Sequence, residues 1–62
     1  MMITKLEDLI GKNVELLVSG HFFTGQIVDV DPATDTITFI EDAETSVKNT
    51  IDATAIALVK VN

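Results

Sequence analysis

From Lys12 to the end of the chain, apolar side chains tend to recur at every second position, and this period of two constrains the fold more than any other feature. Val14, Leu16 and Val18 alternate with Asn13, Glu15 and Leu17, the pattern of a strand with one buried face. A second strand, Phe22 to Val30, is expected to place Phe23, Gly25, Ile27 and Asp29 on one face and Phe22, Thr24, Gln26, Val28 and Val30 on the other. Thr36 to Ile40 is rich in β-branched and aromatic residues and reads as a third strand. Thr45 to Ile51 makes a polar fourth strand, in which Val47 and Ile51 alternate with Lys48 and Thr50, and Ala55 to Val61 makes a fifth. The joints carry turn chemistry: Ser19-Gly20-His21, the Asp31–Asp35 segment around Pro32, the charged Glu41–Glu44 loop and Asp52-Ala53-Thr54.

Ahead of the strands, Thr4-Lys5-Leu6-Glu7 fits a capping box, Leu6, Leu9 and Ile10 follow at helical spacing, and Gly11 can take the positive φ of a helix end. The spacing predicts a short α-helix over about residues 4–10, with the strands over about 13–61 of one domain spanning residues 1–62. Two helical turns are marginal in water, so this helix must lie with its apolar side on the sheet. Gly25, in the middle of a long strand, marks a sharp bend or a bulge, which a small sheet needs in order to curve onto itself. The expected class is therefore mainly β: one short helix, then five strongly bent antiparallel strands in a small barrel.

A chain of 62 residues has little core to spare, and zero cysteines leave no disulfide or thiolate zinc site to supplement it. Association is the remaining common device, and the last strand points the same way. Ala55-Ile56-Ala57-Leu58-Val59-Lys60-Val61 is apolar on both faces, which on a lone subunit would leave a sticky edge. The expected interface pairs Val47, Lys48 and Asn49 of the fourth strand with Ile56, Leu58, Val59 and Val61 of the fifth in a neighbouring copy. Head-to-tail contacts of this kind close into rings. Ten Asp plus Glu against four lysines, Lys5, Lys12, Lys48 and Lys60, give a formal charge of −6, which repels a phosphate backbone overall. Acidic residues interrupt the first dozen positions where a leader's apolar segment would run, and no apolar run approaches the ~20 residues of a membrane helix. The chain reads as cytoplasmic.

The glycine and aspartate spacing resembles the Sm-like family of Sm, LSm and Hfq proteins. That family's first motif has alternating apolar residues, a glycine, a second glycine five positions on, an aspartate six further and an asparagine after four. Here Val14, Leu16 and Val18 are followed by Gly20, Gly25, Asp31 and Asp35, with Ile27, Val30, Ile37 and Phe39 at apolar places and Asp35 standing for the asparagine. The second motif, an apolar residue, Arg-Gly and then apolar residues, reads Ile51-Asp52-Ala53-Thr54-Ala55-Ile56, without the Arg-Gly pair. The resemblance implies an SH3-like small barrel assembled into a homo-oligomeric ring of about five to seven subunits, a scaffold in RNA metabolism that holds single-stranded RNA at its pore. By the same resemblance the RNA-binding positions are Asp31, Ala33, Asp35, Asp52 and Ala53. Ala33 occupies the stacking position, and losing an aromatic there removes about 1–3 kcal/mol per base, so the pocket is degenerate. A ring that serves protein assembly without RNA is the alternative.

Other constellations are weaker. Asp29, Asp31 and Asp35 could offer oxygens to calcium, yet the later ligands and mid-loop glycine of a calcium loop are missing, and aspartate at hairpin turns is common. His21 has no second histidine and no nucleophile at recognisable spacing, and reads as solvated surface. Phe23 and Phe39 fall at inward positions, and Phe22 faces the other way. Lys48 with Asn49 and Thr50 offers a phosphate contact at most. Nothing pairs a nucleophile with a base, so no enzyme, no metal, no cofactor and no small-molecule substrate is expected.

Overall fold

The computed structural model describes residues 6–62, and its five strands are β1 (Asn13–Val18), β2 (His21–Asp31), β3 (Thr36–Glu41), β4 (Glu44–Asp52) and β5 (Ile56–Val61). All neighbours are antiparallel, in the order β4-β3-β2-β1-β5 within one sheet. The expected mainly β class with five antiparallel strands is what the fold has. The hydrogen bonding does not run from β4 to β5, so the sheet is unclosed, with those two strands as its edges.

Period-two patterning does what it predicts in β1: Val14 and Leu16 are fully buried. They join Leu6, Ile27, Ile37, Phe39, Ala53 and Ile56 in one core, with Leu9, Val18, Phe23, Val30, Ile51 and Val59 packed around it. Among the described residues no second sheet covers these side chains, and these residues span 27 × 22 × 18 Å, so the sheet itself curls around its buried face. Fully burying one such aliphatic or aromatic side chain is worth about 1.5–3 kcal/mol, and curling is the way one sheet collects that term several times.

Two tight turns and one close backbone approach set the curl. Ser19 and Gly20, at φ 52° and 81°, join β1 to β2 through the two-residue hairpin with both central residues left-handed, whose twist matches that of the strands. Asp42 and Ala43 join β3 to β4 just as tightly, which shortens the expected loop, and Asp42 N–H donates to the Thr24 carbonyl at 2.9 Å. At Gly25 the strands approach so closely that a Cβ would collide with the Ile40 carbonyl and lie 2.8 Å from Glu41 Cα. The expected bend at this glycine is thus a close approach of two backbones.

Two expectations are corrected. The described part of the helix is a single 3₁₀ turn, Glu7–Leu9, and the Thr4 half of the capping box lies outside the described residues. With three residues per turn, Leu6 and Leu9 share a side while Ile10 rotates off it, so Leu6 is buried, Leu9 is half-buried and Ile10 is exposed. Gly11, at φ 86°, ends the turn, its N–H held by the Ile27 carbonyl at 2.8 Å, and the chain enters β1 at once. The second correction concerns β2. The pairing with β3 shifts between Ile27 and Asp29, and this bulge exchanges the faces beyond it, so that Asp29 is exposed and Val30 packs against the core.

Replacing Gly25 with Ala forces apart two backbones, which cannot yield as a side chain can. We expect G25A to cost about 1–3 kcal/mol. Urea denaturation followed by circular dichroism reads this as a lowered midpoint, and an unchanged midpoint would contradict the close approach.

Candidate functional site

The five positions singled out by the motif resemblance lie on two loops or, for Asp31 and Asp52, at the strand ends that lead into them, and the fold brings the two loops together. Pro32–Asp35 turns between β2 and β3, while a 3₁₀ turn, Ala53–Ala55, links β4 to β5. Thr36 is registered opposite Asp52, and the Ala53 N–H donates to the Asp35 carbonyl at 2.9 Å, joining the loops directly. Each loop is also organised from within. Asp31 Oδ1 accepts the Ala33 N–H at 3.0 Å, Thr34 and Thr36 hydroxyls share a 2.8 Å hydrogen bond, and Asp35 takes φ 57°, a conformation that aspartate tolerates better than most residues.

Asp52 caps the second loop. Its Oδ1 accepts the Thr54 hydroxyl at 2.8 Å and the Thr54 N–H at 3.0 Å. Hydrogen bonds from the Thr54 side chain and then its backbone hold the carboxyl below its ordinary value of 3.8. Ala53 is buried in the core, so the second loop presents the Asp52 side chain to solvent and not that of Ala53. Ala33 is exposed at the tip of the first. The paired loops therefore carry three carboxylates, Asp31, Asp35 and Asp52, around a small apolar methyl. Among the described residues no group of three or more acidic or imidazole side chains is arranged to hold a metal ion.

The chain was compared with known proteins at three levels. No family model, no curated protein and no solved structure matches it.

The two sheet edges form the second candidate surface. Along β4, Val47 is 45% exposed and Lys48 is exposed, while Asn49 is half-buried and donates its Nδ2 to the Phe39 carbonyl at 3.3 Å. Along β5, Leu58 and Val61 are about half exposed and Val59 is half-buried. Ile56 differs from the other expected interface residues: its side chain belongs to the subunit's own core, leaving only its backbone for a neighbour. A shift between Leu17 and Val18 in the β1–β5 pairing leaves Ala57 without a partner and sets Leu58 opposite Leu17. Because Leu17 also stands opposite Phe22, these three residues form an outward apolar row across β2, β1 and β5. Leu17 had looked like a member of the polar face, and only the strand register shows what it stands beside.

Sequence reasoning also missed a cleft of about 210 Å³, lined by Val18, Phe23, Phe39, Glu41, Asn49, Thr50 and Ile51. Its lining comes from four different strands, a juxtaposition that leaves no mark on residue spacing. His21 is exposed, and among the described residues no helix is long and apolar enough to cross a membrane.

Asp52 supplies a pH prediction. Its carboxyl is lowered in the fold, so its stabilising contribution is complete above the ordinary value of 3.8 and disappears as pH falls through the lower folded value. D52A should lower the thermal midpoint at neutral pH, and the gap from the parent should shrink as pH is taken below that range. A gap that persists undiminished in acid would show that the hydrogen-bonded carboxylate is not its source.

Proposed function

We propose that the chain is the subunit of a homo-oligomeric Sm-like ring, an RNA-associated scaffold whose RNA pocket is degenerate. The observation that carries this reading is the Ala53–Asp35 hydrogen bond. Two stretches far apart in sequence, aligned with the family's two motifs though Asp35 replaces the asparagine and the Arg-Gly pair is missing, are joined by this bond, which supports the reading. The unpaired edges of β4 and β5 add the second support, since such edges are templates for further pairing and a head-to-tail contact between them generates a ring.

In this reading the loops line the pore and hold single-stranded RNA weakly. Asp31, Asp35 and Asp52 oppose phosphate, and Ala33 offers no ring for a base to stack on. Backbone amides and Lys48 supply the favourable contacts, so binding falls steeply as salt rises. The acidic loops also favour a second reading, in which the same ring assembles proteins and holds no RNA. Pull-down from a native extract with and without nuclease separates the two, because a protein partner retained after nuclease treatment supports the second.

Filter binding of oligo-uridine and oligo-adenosine tests the first. The parent should retain oligo-uridine at low salt and release it as salt is raised, and A33Y should bind about tenfold more tightly by restoring a stacking surface. No retention by either protein at high micromolar concentration would end the RNA reading.

A further inference from the structure

The cleft on the concave side of the sheet has a chemical character of its own. Val18, Phe23, Phe39 and Ile51 make its apolar wall, and among the described residues Glu41 is the one charged residue lining it. Phe39 is buried and Phe23 and Glu41 are half-buried, so the carboxylate stands beside aromatic and aliphatic surface. The Asn49 Nδ2 is committed to the Phe39 carbonyl, which leaves its Oδ1 as an acceptor, and the Thr50 hydroxyl can accept as well. A ligand would thus meet acceptors, a negative charge and aromatic rings, in a chain whose formal charge is already −6.

We propose that this cleft binds a small primary ammonium ion bearing an apolar or aromatic tail. Charge complementarity selects the cation: an anion would face Glu41 with no basic residue among the described residues of the cleft wall, and a neutral apolar molecule would leave the carboxylate without a partner. The ammonium donates hydrogen bonds to Glu41 and to the side-chain oxygens of Asn49 or Thr50, while the tail packs on the half-buried Phe23 and Ile51. Aromatic walls favour a cation further through the negative face of each ring. A cleft of about 210 Å³ admits a molecule the size of phenethylammonium and not one of ordinary drug size.

The test is titration of the ¹⁵N-labelled full chain with phenethylammonium, 2-phenylethanol and 3-phenylpropionate, three probes with nearly the same tail and different charge. Phenethylammonium should shift the amide signals of Phe23, Glu41 and Asn49–Ile51 with a Kd on the order of millimolar, the range expected for so few atoms. The alcohol should bind about fivefold more weakly or worse, and the carboxylate not at all. E41Q keeps the size of the side chain and should lower the ammonium's affinity to that of the alcohol, with its dispersed spectrum reporting an intact fold. Equal affinity for the three probes, shifts centred elsewhere, or no shifts with any probe would overturn the proposal.

Discussion

One sheet has to serve as both floor and roof of the core. The described residues form no second sheet and only two single-turn 3₁₀ helices, so Leu16, Ile27, Ile37 and Phe39 can leave water only if the strands carrying them bend around one another. Gly25 makes the bend possible by removing the one side chain that would hold β2 away from the end of β3. Leu6 and Ala53, supplied by the segments just before β1 and just after β4, are buried with the strand residues and complete the core.

That solution leaves a remainder. Curling buries the inward residues but does not join β4 to β5, and each edge keeps backbone donors and acceptors on its open side. Lys48 and Lys60 sit on these edges, where a lysine discourages indiscriminate strand addition, while Val47, Leu58 and Val61 keep apolar surface available to a specific partner. The β4 edge also lines the cleft, through Asn49, Thr50 and Ile51.

Much of this was legible in the residues. Alternation, β-branched composition and the apolar last segment together located the five strands, Gly25 announced the bend, and Phe23, Phe39 and Phe22 take the inward and outward positions that parity assigns them. Parity fails where the ladder slips: the bulge after Ile27 turns Val30 inward and Asp29 out, because one unpaired residue reverses every face that follows. Among the described residues the segment runs as a 3₁₀ turn over Glu7–Leu9, ended by Gly11 and its tie to Ile27, a tertiary demand that Leu6, Leu9 and Ile10 do not announce. In the paired loops, the aspartates were recognisable as turn formers and capping groups. The hydrogen bond that brings Asp35 and Ala53 together depends on the full β2–β3–β4 register and has no local signature.

The ring rests on the unpaired edges finding one another in identical copies, and the mass of the particle in solution tests this most directly. Sedimentation equilibrium across a wide concentration range should find one dominant closed species of about five to seven copies of the 6.7 kDa chain, its mass constant once formed. A folded 6.7 kDa monomer that persists at the highest concentration, or a mass that keeps growing without a preferred size, would contradict it.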